Sequence, residues 1–197
     1  VVKNEKSEQH IHHLGRSNHA LEEREQHDYY ATDPKAVELL LELEQFSPVI
    51  WEPACGEGHI SKVLQAHGYE VISTDLVYRG FGDPETLDFL KETLDGFEGD
   101  IITNPPYSVG LEFVQRALES VRPGGKVAMF LKVQFFGRTE AGGSLRIPPP
   151  RIVYISRSRL ACYKNGDMSV KPESAIAYAW YVWEKGFTGD PVIKWFN

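Results

Sequence analysis

Two cysteines in 197 residues, Cys55 and Cys162, are too few for a disulfide framework and lack metal-binding spacing. No run of about 18 apolar residues occurs, so no segment has the composition of a membrane-spanning helix. No signal peptide is visible at the start, and the expected location is the cytoplasm. Repeats and low-complexity tracts are also missing. Positive charge is scarce overall: 21 Lys and Arg against 28 Asp and Glu leave a formal net charge of −7. Read globally, that balance argues against a nucleic-acid partner. What remains is 42% apolar and 12% aromatic, an ordinary globular composition with enough chain for one full-sized core.

The scarcity of positive charge is uneven. Residues 132–171 hold eight Lys and Arg, among them Arg138, Arg146 and Arg151, against only Glu140 and Asp167. Local arginines can contact phosphates whatever the total charge, so this basic insertion is a candidate nucleic-acid contact. Residues 1–28 are polar and include His10, His12, His13, His19 and His27. A metal site needs a rigid frame, so the segment is expected to be a flexible arm before a single domain over 29–197.

Periodicity predicts helices over 34–46, 58–67, 85–95 and 108–120, and strands over 48–52, 69–75, 100–103 and 126–131. Strands alternating with helices indicate an α/β fold, a doubly wound, mostly parallel sheet with helices on both faces. After 131 the pattern changes. Gly137, Gly142, Gly143 and the prolines at 148–150 mark an irregular insertion. Arg151–Arg157 and Ser174–Trp183 then read as strands joined by the turn Lys164-Asn165-Gly166-Asp167, and Val192–Phe196 as a last short strand.

Chemistry concentrates at four strand or helix ends. The run Val49-Ile50-Trp51 enters Glu52-Pro53-Ala54-Cys55-Gly56-Glu57-Gly58, followed by a helical pattern at Ile60, Val63 and Leu64. A strand, a glycine turn and a helix start make a ligand cradle. Ser61 stands where a dinucleotide fingerprint would place its third glycine. The next strand ends at Asp75-Leu76, 17 residues beyond Gly58, close to the spacing of a ribose-binding carboxylate. Tyr30-Ala31-Thr32-Asp33-Pro34 opens the first helix, with Thr32 or Asp33 as N-cap. Asn104-Pro105-Pro106-Tyr107 follows the apolar run Ile101-Ile102-Thr103. The Asn104 side-chain oxygen and the Pro105 carbonyl can accept from an NH2 group, the prolines remove competing donors, and Tyr107 offers a flat face.

In this order, over about residues 30–131, these segments resemble the Asn-Pro-Pro-Tyr amino-methyltransferases, best known as adenine-N6 DNA methyltransferases. The stretch Tyr178–Gly186 is similar to their small phage and prophage members. The resemblance implies the S-adenosylmethionine (SAM) methyltransferase fold, Rossmann-like, with an antiparallel edge strand. It implies SAM as cofactor, held by Tyr30, Thr32, Glu52, Pro53, Ala54, Gly56, Gly58, Asp75, Leu76 and Asn104. Asp88 and Phe89 would meet the cofactor's adenine, although Asp88 reads equally as a helix N-cap. Asn104, Pro105, Pro106 and Tyr107 would be catalytic. Tyr107, with Phe135 or Phe136, would stack on a flipped base, and Arg138, Arg146 and Arg151 would contact DNA phosphates.

Asp33 before Pro34 departs from the family pattern, and no separate target-recognition domain is visible. A partner subunit or oligomer would then supply recognition. RNA adenine, a protein glutamine or N4 of cytosine are alternative acceptors, and an inactive SAM-binding subunit is the non-enzymatic alternative.

Overall fold

The computed structural model describes residues 29–92, 95–138, 147–157, 160, 162–164, 169 and 177–196, with the side chains of 136–138 and 164 left out. The polar arm 1–28, Arg146, the turn at 165–167 and the side chains of Phe136 and Arg138 lie outside that set.

A seven-stranded sheet forms the centre. Its strands are β2 (Val49–Glu52), β3 (Glu70–Ser73), β4 (Asp100–Thr103), β5 (Lys126–Lys132), β6 (Ile152–Ser156), β8 (Tyr178–Glu184) and β9 (Val192–Phe196), in the order β3-β2-β4-β5-β8-β6-β9. β3, β2, β4 and β5 run parallel; β8 pairs antiparallel with both β5 and β6, and β9 runs parallel to β6. The antiparallel strand thus sits within the β8-β6-β9 group, and β9 forms the outer edge. A separate two-stranded ribbon joins β1 (Tyr30–Thr32) to β7 (Cys162–Lys164).

Alternation along each strand divides the core between two faces. Ile50, Ile102, Phe130, Trp180 and Tyr154 share one cluster with helix α1 (Pro34–Leu43) and helix α2 (His59–Ala66). Trp51, Ile101, Met129, Tyr181 and Val153 share the other with helix α3 (Gly110–Ser120). Covering both faces explains why β4, β5 and β8 read as continuous apolar runs. Each helix has local causes. Asp33 caps α1 by accepting from Lys35 N at 2.9 Å, and Pro34 occupies its first turn. Ala36, Val37 and Leu40 face the sheet, and Trp180 Nε1 donates to Ala36 O at 2.8 Å, pinning the helix down.

Two expectations need correction. Tyr30–Thr32 is a strand before the helix, so Asp33 alone is the cap. No helix forms among the described residues of 85–95: Phe89–Lys91 is a turn, with Asp88 Oδ1 accepting from Leu90 N at 3.2 Å. Phe89 is buried edge-on against Trp51 at 5.0 Å, and burying that single ring satisfies the segment without an amphipathic face. Among the described residues, no helix is long and apolar enough to cross a membrane.

Candidate active site

The order β3-β2-β4 puts a topological switch point beside β2, where connections leave in opposite directions and the carboxyl ends of the strands spread apart. A cavity of about 420 Å³ opens there, within the range of small-molecule sites. β2 contributes Glu52, Pro53 and Ala54; β3 contributes Asp75 and Leu76; β4 contributes Asn104 and Pro106. Asp88 and Phe89 form one wall, Tyr30 and Thr32 another. Residues as far apart in sequence as Tyr30 and Asn104 therefore share one cavity.

The loop after β2 is shaped by glycine. Gly56 and Gly58 have φ of +55° and +79°, a region other residues rarely adopt. A Cβ on Gly56 would lie 2.3 Å from the Tyr29 ring, so an aromatic ring makes the close approach to this glycine. Gly56 and Gly58 build the turn and do not line the cavity. Gly56 N donates to Asp75 Oδ2 at 2.8 Å, tying the glycine turn to the end of β3. The other Asp75 oxygen accepts from Val77 N at 2.9 Å and Arg79 Nη1 at 3.2 Å. Arg79 also lies over the Tyr29 ring, 4.5 Å from its centroid, and both side chains line the cavity.

Glu52 is 1% exposed. One of its oxygens accepts from Ser61 N at 2.8 Å and from the Ser61 hydroxyl, and Ser61 in turn contacts the Ser73 hydroxyl at 2.7 Å. Burial pushes the Glu52 carboxyl up to about 8; the Ser61 hydrogen bonds oppose the shift and the nearby Asp75 charge adds to it.

At the end of β4, Asn104 Nδ2 donates to the carbonyl of Tyr30 at 2.8 Å. That bond leaves the Asn104 Oδ1 acceptor buried without a hydrogen-bond partner among the described residues, and Thr32 Oγ1 is in the same condition. Unsatisfied buried acceptors are costly, and these two belong to cavity-lining residues. Pro105 is buried and Pro106 precedes a 3-10 turn, Tyr107–Val109. Tyr107 does not line the cavity. Its ring stacks on Tyr30 at 5.5 Å, and its hydroxyl lies 3.1 Å from Cys162 Sγ. Lys132 Nζ lies 4.6 Å from the ring centroid.

The remaining candidates sit elsewhere. Phe135 is buried, edge-on against Tyr181 at 5.5 Å, as a core residue. Arg151 corrects the phosphate assignment. It precedes β6 at the amino end of the parallel strands, opposite the cavity, and donates to Glu44 Oε1 at 2.6 Å with a second contact to Glu184 at 3.4 Å. A counted positive charge is there a structural ion pair. Sequence reading missed Tyr29, Arg79 and Ser61. Arg79 stands four residues after Asp75, and only that spacing hinted at it.

The arrangement has known counterparts in fold. A protein assigned as a class I S-adenosylmethionine-dependent methyltransferase from Listeria monocytogenes superposes with TM-score 0.52 at 12% identity, covering 81% of this chain and 62% of its own. A protein assigned as a modification subunit of a type I restriction enzyme from Vibrio vulnificus gives 0.56 at 14% identity, covering 85% of this chain and 47% of its own. A predicted O-methyltransferase from Agrobacterium tumefaciens gives 0.55 at 14% identity, covering 81% and 84%. The fold is therefore that of the SAM-dependent methyltransferases. This chain spans less than two thirds of the first two neighbours. No protein-family model and no curated protein matches the sequence.

Proposed function

We propose that the protein transfers the methyl group of SAM to the exocyclic N6 amino group of adenine in DNA. The observation that carries this reading is Asn104 Oδ1, a buried acceptor without a hydrogen-bond partner among the described residues, on a turn where two prolines remove backbone donors. The cavity residues fit SAM. Asp75 would hold the ribose hydroxyls, Asp88 the adenine amino group, and Leu76 and Phe89 the faces of the adenine ring. Glu52, Pro53, Ala54, Tyr30 and Thr32 would surround the rest, with Gly56 and Gly58 shaping the turn behind. When bound, SAM supplies an electrophilic methyl group on a sulfonium.

The chain supplies positioning and charge stabilisation. Adenine's amino lone pair is delocalised into the ring. Asn104 Oδ1 and the Pro105 carbonyl would accept from that amine, favour a pyramidal nitrogen and stabilise the positive charge it gains. Inside a duplex the amine is out of reach, so the base must be flipped or come from a single strand. The name of the Vibrio neighbour supports nucleic acid as substrate. Arg138 and Arg146 of the basic segment remain candidates for phosphate contacts, and a partner subunit for target choice. Cytoplasmic residence accompanies this function.

Labelled SAM offered to DNA, RNA and protein, followed by identification of the modified group, tests the acceptor. Label at N6 of adenine in DNA is expected; label only in RNA or on glutamine overturns that choice. Asn104→Ala should keep SAM affinity near wild type while lowering single-turnover methylation roughly 100-fold or more. Methylation at the wild-type rate would remove Asn104 from the chemistry.

A further inference from the structure

The place where a planar substrate would stack on Tyr107 is already taken by an aromatic ring of the same chain. Tyr30 lies 5.5 Å from Tyr107, centroid to centroid, with 29° between the planes, a stacked geometry. Tyr178 at 5.9 Å and Lys132 Nζ at 4.6 Å crowd the same ring. Tyr30 itself lines the cavity and Tyr107, stacked on its ring, does not. Its carrier, the β1–β7 ribbon, is not part of the seven-stranded sheet. It pairs over only three residues on each strand, Tyr30 with Lys164, Ala31 with Tyr163 and Thr32 with Cys162. Two-stranded ribbons this short are marginal alone, and this one is latched to the Asn104–Tyr107 turn through Tyr30 O and Cys162 Sγ.

We propose that the Tyr30 ring is a plug standing in for the planar substrate, and that the β1–β7 ribbon lifts transiently to release the ring from Tyr107 and admit that substrate, the Tyr30 carbonyl re-forming its bond to Asn104 when the ribbon reseats. This rests on the methyl-acceptor reading of the Asn104–Tyr107 turn. The Tyr30 carbonyl acts separately from the ring, holding the Asn104 amide with Oδ1 free. A side-chain substitution at position 30 therefore removes the plug and keeps the orienting bond. A base stacks on an aromatic ring at least as strongly as two phenyl-type rings stack on each other, so displacement is thermodynamically open.

Two measurements test this. Native-state hydrogen exchange should show the ribbon's hydrogen-bonded amides exchanging by local opening at least about 10-fold faster than those of β4 and β5. Exchange at the rate of β4 and β5 would overturn the lifting ribbon, whatever the substrate. In single-turnover methylation at saturating SAM, Tyr30→Ala should lower the half-saturating concentration of an adenine-containing single strand roughly 2- to 10-fold, the range for one lost aromatic pair. Tyr30→Phe, which keeps the ring, should not show that drop, and Tyr30→Leu serves if the alanine variant folds poorly. An unchanged or raised half-saturation in the ring-less variants overturns the plug. Fast ribbon exchange in a protein that methylates no nucleic acid would leave the lifting ribbon standing and end the proposed acceptor instead.

Discussion

Glu52 is a carboxyl group held in the interior with no ion pair among the described residues. Its neighbours are the Ser61 and Ser73 hydroxyls, the Cys55 thiol and the like-charged Asp75, so burial and repulsion together raise its pKa to about 8. A folded pKa above the unfolded value means that the folded state binds the proton more tightly. The stabilisation is complete below about 4.5 and disappears as pH rises through about 8. One unit is worth about 1.4 kcal/mol, so the contribution is on the order of 3–5 kcal/mol. Thermal melting of ligand-free protein should therefore fall between pH 5 and 8 by more in wild type than in Glu52→Gln. A cationic ligand would supply the missing positive charge and lower this pKa. SAM binding should then release protons near pH 7 and tighten toward pH 8, and calorimetry in buffers of different ionisation heat reads both. An identical pH slope in wild type and Glu52→Gln would show that Glu52 does not titrate in this range. The sequence named Glu52 as a site residue from its place beside a glycine turn. Its protonation was illegible there, because burial depends on β3 and β4 flanking β2, and on Ser61 nine residues away.

Whole elements were readable where local chemistry set them and obscure where distant packing did. The α1 start is written in Asp33-Pro34, and the glycine turn in Gly56 and Gly58. By contrast, the β1–β7 pairing joins residues 130 to 134 positions apart, with three-residue strands that carry no periodic signal. The 85–95 segment shows the opposite failure: an acidic cap and apolar spacing suggested a helix, but burial of Phe89 and the Asp88–Leu90 turn won. The β2–α2 turn offers an element-scale prediction. Gly56→Ala must hold alanine at φ +55° and place its methyl 2.3 Å from the Tyr29 ring. The backbone cost and the displaced ring together should destabilise the fold by about 1–3 kcal/mol in urea melts. SAM affinity should weaken as well, because Gly56 N would shift from Asp75. Wild-type stability together with wild-type affinity would mean that the turn tolerates a side chain and that Tyr29 does not press on it.

The two ends of the sheet carry different burdens across the molecule. At the carboxyl ends, among the described residues, acceptors are left open and a carboxyl is buried without a cation. At the amino ends, charges gather on one carboxylate: Glu44, just past α1, accepts from Lys126 of β5 at 2.9 Å, from Arg151 at 2.6 Å and from Tyr154 of β6 at 2.6 Å. Arg151 continues the network to Glu184 of β8. The alternation of strands and helices was visible in the sequence, as was the importance of the strand ends that meet at the cavity. This network was not, because Arg151 looked like one more charge in a basic segment until β6 placed it opposite the cavity. Burial tends to raise the Glu44 pKa, but the bonds from Tyr154, Lys126 and Arg151 outweigh it and hold the carboxyl below its ordinary value. A depressed folded pKa gives stability that is present above about 4.5 and lost as pH falls through the folded value. Glu44→Gln should therefore cost about 2–4 kcal/mol at pH 7, the scale for breaking a mostly buried ion pair, and the difference from wild type should shrink in acid. Urea melts at pH 7 and pH 4 measure both effects. Because Glu44 lies at the end of the sheet away from the cavity, SAM affinity of the folded variant should equal wild type. A Glu44→Gln variant that melts like wild type would show the network to be energetically silent. One that keeps its stability but loses SAM would mean that the two ends of the sheet are coupled, against the separation of stability from binding that the geometry sets up.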